Sequence, residues 1–236
     1  MIFSITEKIL LKQLAFGNQA AFIRLYNLHT EAIYLLAMQL TAGDKPVAEK
    51  IVQHSWNDAV RKLSGHSLKS SLRKWLVSIV VYYSREHYSR EKRYMLIDDN
   101  FPEVLAERMQ KVKYAVAMMC HEEAVHFLPI GYRHVFILHD IHACTHQEIA
   151  NYLQISEGCS MNLLFKARKA LRQLSEVNSP QKVNPHMEWT DSEMKKFRTA
   201  YRNAGLPNQL RAKVMNQLEW PDLIVPDYSG YSLVAE

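Results

Sequence analysis

The 236 residues hold 48% apolar side chains, 22% charged ones and a net charge of +5. That composition allows one large or two small packed domains and argues against a disordered chain. Seven Gly and eight Pro suit long helices better than a turn-rich β fold. Three unpaired-looking Cys give no disulfide framework, and no apolar stretch approaches a membrane span.

Apolar residues recur in steps of three and four almost throughout, and no alternating strand pattern appears. The fold expected is all-α. The first long stripe runs Phe22, Tyr26, His29, Ile33, Leu36, Leu40. Gly43 ends that helix and Pro46 sits at the start of the next. A third stripe is Val47, Ile51, Ser55, Trp56, Val60, Leu63. After "SGHSLKS", Leu72, Trp75, Leu76, Ile79 and Tyr83 mark a fourth helix running on into "REHYSREKR".

"IDDNFPE" breaks the pattern and begins a linker. Pro102 opens a helix expected to reach about Phe127, and Leu128-Pro129 punctuates again. Val135, Phe136 and Leu138 belong to a short helix. "THQEIANYLQISEGCSMNLLFKARKAL" then has the layout of a helix, a tight turn and a second helix. Ile149, Ala150 and Leu153 pack the first of these, and Leu164, Ala167, Leu171 and Leu174 form the buried stripe of the second. Beyond the linker "NSPQKVNP", a helical hairpin is expected. Thr190 and Glu193 fit a capping box. Met194, Phe197, Tyr201 and Ala204 form one face, and Leu206, Leu210, Val214 and Leu218 form the other. The domains are thus 1–95, a linker at 96–110, 111–176, and a linker with C-terminal helical extension at 177–236. The first of these carries the basic excess, with 14 Lys/Arg against 7 Asp/Glu, which favours a polyanionic partner.

At this point the residues resemble a family. "GNQAAFIRLYNLHTEAIYLLAMQLTAGDKPVAEKIVQHSWNDAVRKL" and "SLRKWLVSIVVYYSREHYSREKR" are similar to region 2 of the sigma-70 superfamily of bacterial transcription initiation factors, in its extracytoplasmic-function (ECF) group. "LPIGYRHVFILHDIHACTHQEIANYLQISEGCSMNLLFKARKAL" is similar to its region 4. The resemblance covers roughly residues 8–95 and 111–175. It implies binding to core RNA polymerase, recognition of the −10 promoter element by region 2 and of −35 by region 4, and help in opening the duplex. It implies no covalent chemistry and no cofactor. The cysteine usage, an N-terminus without an apolar leader and the short apolar runs suggest a cytoplasmic protein without membrane insertion, and an anti-sigma or other regulatory protein is a further partner to expect.

Three surfaces follow from the resemblance. Glu49, Val52, Gln53 and Trp56 stand where the family meets polymerase, although Lys50 and His54 replace usual acids there. Tyr83, Arg85, His87, Tyr88, Arg90, Lys92 and Arg93 match the −10 contact. Cations there neutralise phosphates, and aromatic rings stack on unpaired bases for about 1–3 kcal/mol each. Tyr82 takes a position where the family often has Asn. Asn162, Lys166, Arg168, Lys169 and Arg172 match the −35 contact. Met161 and Leu163 stand where Lys or Arg is common, which removes bidentate guanine readout and brings apolar surface near the groove.

A second function stays open on these departures: a sigma-like module that binds polymerase or another protein without reading promoters. The extension can cover a DNA or polymerase surface, serve as a docking site, or act as a stabilising cap. "HDIHACTH" offers His139, His142, Cys144 and His146, but no second ligand pair sits at a metal-finger spacing, so no metal is expected. No motif fixes a nucleophile and base, so an enzyme is not expected.

Overall fold

In a computed structural model, residues 5–63, 71–90, 125–176, 195, 205–218 and 220 are described. Every regular element among them is helical. The first helices are α1 (Ile5–Ala15), α2 (Gln19–Leu40), α3 (Lys45–Leu63) and α4 (Leu72–Arg90). Further along the chain come α5 (Ile130–Phe136), a π-helical turn (Ile137–Ile141), α6 (His146–Leu153), α7 (Glu157–Glu176) and α8 (Leu210–Gln217). The expected helix from Pro102, the capping box at Thr190 and the first hairpin face lie outside the described residues, apart from Lys195 and a helical turn at 125–127.

Local chemistry sets the boundaries. Asn18 accepts from the Ala21 amide at 3.0 Å and starts α2. The chain leaves α2 through Ala42 (φ 55°) and Gly43 (φ 82°). The Gly43 amide returns to the Met38 carbonyl at 2.8 Å, a glycine-assisted helix stop. Asp44 then caps α3 by accepting from the Val47 amide at 3.1 Å.

Helices α1 to α4 pack on one another as the N-terminal module. Its centre is Trp56, fully buried, which meets Phe22 edge-on at 5.3 Å and Tyr26 at 5.7 Å. Its indole N–H donates to Thr30 Oγ1 at 3.0 Å, and Thr30 in turn donates to the Tyr26 carbonyl at 2.6 Å. A buried indole N–H without such an acceptor would be costly.

The second module is α5 to α7. Thr145 and Glu148 form a reciprocal capping box at the start of α6. Gln154 ends that helix in the left-handed conformation (φ 56°). Ile149, Leu153, Leu164, Ala167 and Leu171 are buried, as their spacing predicts, whereas Ala150 is partly exposed and the side chain of Leu174 lies outside the described residues.

The two modules touch. Helix α4 packs on α6, and α2 meets α5. Lys74 Nζ donates to Glu148 Oε1 at 2.6 Å. His142 Nε2 lies 2.7 Å from Gln39 Oε1, and buried Ser84 Oγ lies 3.3 Å from His134 Nε2. Burial pushes His134 down to about 3 and His142 down to about 4, so both rings at this seam are neutral at ordinary pH.

Candidate nucleic-acid and polymerase interface

Helix α3 offers the first surface. Its inward stripe includes Ala48, Val52, Trp56 and Ala59, each with no exposed surface. Val52 and Trp56, expected as polymerase contacts, are therefore core residues. Their spacing of four puts them on the face that meets Phe22 and Tyr26. Glu49 and Gln53, one position further round the helix, remain partly exposed, and Lys50 and His54 are exposed. The accessible part of this surface is thus Glu49, Lys50, Gln53 and His54. His54 also stacks on Tyr83 of α4, with centroids 5.2 Å apart.

Helix α4 supplies the second surface. Tyr83 is half-buried, and its phenol is pushed up to about 12, first by burial and then by the Asp58 carboxylate. Tyr82 is 44% exposed, sits edge-on to Tyr83 and has the Arg85 guanidinium 5.7 Å from its ring centroid. The ring that departs from the family pattern is thus the more exposed of the two. Arg85 also approaches Glu86 at 3.6 Å. His87 is partly exposed. Tyr88 is turned inward: it packs against His134 of α5 at 6.0 Å and beneath the Arg133 guanidinium at 5.9 Å. Its ring is not presented to DNA in this arrangement, because the second module covers it. Arg90 ends α4, and its side chain lies outside the described residues, as do Lys92 and Arg93.

The third surface is α7. Asn162 and Lys169 are exposed and Lys166 is partly so. Met161 and Phe165, one turn apart, are 50% and 57% exposed. Leu163 is buried, correcting the expectation that it brings apolar surface near the groove. Arg172 is also buried. Arg168 is committed elsewhere. Its Nε and Nη2 donate to the two oxygens of Asp140 at 2.9 and 2.7 Å, a bidentate clamp onto the π-helical turn. His139 Nδ1 sits 2.7 Å from the same carboxylate and stacks on His146, centroids 4.5 Å apart. Desolvation and then the neighbouring His139 hold His146 below its ordinary value. Among the described residues no group of three His, Cys, Asp or Glu is placed to hold a metal.

A bihelical corner whose second helix carries polar residues at its exposed start has the form of a major-groove reader. Residues 119–171 match the family model of sigma-70, region 4. That segment, and no more of the chain, is matched to sigma-70 region 4. The match spans the corner, so α6 and the first fifteen residues of α7 fall within it. No curated protein matches the chain. Among solved structures it is similar to a chain of the co-crystal structure of the sigma factor RpoE in complex with the anti-sigma factor NepR from Bartonella quintana. The two share 19% identity over 66% of this chain and 98% of that one, with a TM-score of 0.46.

Sequence reasoning missed several residues that shape these surfaces. Asp140, Lys74, Glu148 and Lys213 carry no functional motif in the sequence, yet each makes a side-chain contact between elements. Lys213 Nζ in fact donates to Glu49 Oε2 at 2.6 Å. Only the Thr145–Glu148 spacing carried a local signal, that of the capping box. No helix among the described residues is long and apolar enough to cross a membrane.

Proposed function

We propose that the chain is a transcription initiation factor of the ECF type that binds core RNA polymerase and recognises and helps melt promoter DNA. In this reading α3 meets polymerase through Glu49, Gln53 and their neighbours. Helix α4 contacts the −10 element through Tyr83, Arg85, His87, Arg90, Lys92 and Arg93. Helix α7 meets the −35 element through Asn162, Lys166 and Lys169. The observation that carries the reading is the region 4 match seated on the bihelical corner. The basic excess of the first domain supports it, since phosphate neutralisation with counterion release drives DNA association. With the seam closed as described, Tyr88 is covered, so engagement of DNA by that ring requires the modules to separate.

The test is reconstitution. The chain is added to core RNA polymerase and run-off transcription is measured on a library of genomic fragments. Specific transcripts that depend on the chain support the reading. A second function, binding polymerase or another protein without promoter reading, is favoured by the exposed Met161 and Phe165 where base-reading side chains belong. Polymerase binding without transcripts would select it, with an anti-sigma or other regulatory protein as the alternative partner.

A further inference from the structure

Helix α8 lies on α3, 164 residues away in sequence, and this contact has no part in the proposed activity. Leu210, Val214 and Leu218 form its inward face, and all three are buried. Trp220 follows and meets Phe22 edge-on at 5.6 Å. The outward side, including Arg211, Ala212 and Asn216, is exposed. Of the face expected from sequence, Leu210, Val214 and Leu218 are buried while Leu206 is exposed, and the helix packs on α3 of the N-terminal module.

The polar edge of this contact is the informative part. Lys213 places its ammonium on Glu49, whose side chain is left 18% exposed. Glu49 is the acidic residue on the accessible part of α3. Beside the pair runs an open groove of about 580 Å³. Pro46, Lys50, Gln53 and His54 form its α3 wall, and Lys213 and Gln217 its α8 wall. Helix α8 therefore takes the α3 carboxylate and stands over one flank of the same strip of polar side chains.

We infer that α8 is an intrachain latch that occupies the α3 contact face and must leave before a partner can take the whole of it. The inference rests on the reading of α3 as the polymerase contact. A cation on Glu49 and an amphipathic helix over its flank are what an incoming protein would have to displace. Apparent affinity is divided by the fraction of molecules in the competent state, so a latch open in one molecule in ten weakens binding about tenfold.

The experiment uses the full chain with two separate substitutions. Lys213→Glu reverses the charge facing Glu49, and Val214→Asp places a carboxylate in the buried face of α8. Amide hydrogen exchange followed by mass spectrometry reads protection of 210–217 and of α2. Affinity for core RNA polymerase is measured in parallel. The expected result is lost protection at 210–217, retained protection in α2, and binding at least tenfold tighter than the native chain. Lost protection with unchanged or weaker binding would overturn the latch while leaving the polymerase reading intact. Retained protection of α8 in both variants would overturn it as well, since the contact would then not depend on the groups assigned to it. Absence of polymerase binding by the native chain and both variants would overturn the polymerase reading itself, and the latch with it. Should Val214→Asp lose protection in α2, Lys213→Glu alone decides.

Discussion

Arg168 separates a structural from a DNA-binding role most sharply. Its spacing on α7 suits a phosphate contact, but its guanidinium is spent on Asp140, whose side chain is only 4% exposed. Replacing Arg168 with Ala strands that carboxylate. Breaking a buried ion pair by removing one partner costs about 3–5 kcal/mol. Two features reduce the figure here. Arg168 itself is 37% exposed, and His139 still holds one Asp140 oxygen at 2.7 Å. The expected loss is about 2–3 kcal/mol, with part returned when Asp140→Asn is added, because a neutral amide is cheaper to leave behind. Urea denaturation followed by far-ultraviolet circular dichroism measures both variants and the double variant as a cycle. A loss below about 0.5 kcal/mol, together with a salt slope of DNA binding reduced by about one, would refute the clamp and restore Arg168 as a phosphate contact.

Other substitutions test the remaining features. Trp56→Ala should destabilise the N-terminal module by about 3–5 kcal/mol, read from denaturant midpoints, because it leaves a large cavity and removes the donor to Thr30. Thr145→Ala should cost about 1 kcal/mol by opening the α6 capping box, read the same way. Acid should weaken the fold. Burial pushes His126 and His142 down to about 4 and His134 to about 3, so the unfolded chain binds more protons below its ordinary histidine value. Stability is therefore flat above about pH 6.5 and falls toward pH 4, by at most about 1.4 kcal/mol per pH unit for each ring. Denaturant midpoints at pH 7.5 and pH 5.0 check the sign, and equal midpoints would contradict the burial of these rings. Lys74→Glu should raise hydrogen exchange in α6 and increase the radius of gyration by small-angle scattering, since it sets two carboxylates against each other at the module seam.

Much of this architecture was legible in the residues. Gly43 and Pro46 marked the α2–α3 turn, and the stripes through Phe22 and Ile149 marked buried faces, because a 3.6-residue period is a local property. Asp44 as the cap of α3 was equally local but was overlooked beside Pro46. The site was less legible. Val52 and Trp56 match family positions, yet four-residue spacing from Ala48 turns them into the core. Tyr88 and Arg172 look like surface groups until the neighbouring helix is placed, and burial by a distant element leaves no trace in spacing. The π-helical turn at 137–141 belongs to the same class. It closes through the His142 amide to the Ile137 carbonyl at 3.0 Å and aims Asp140 at α7, a geometry that helix periodicity does not announce.

Glu148 has a consequence for how the protein can move. One of its oxygens holds Lys74 of the first module, while the other accepts from the Thr145 amide at 2.9 Å within its own helix. These hydrogen bonds depress the carboxyl, Lys74 contributing most. Detaching Lys74 therefore leaves the start of α6 fully stapled. Loosening the seam at this point therefore need not unravel the corner, because the cap that starts α6 is closed by groups of α6 and its own N-cap residue.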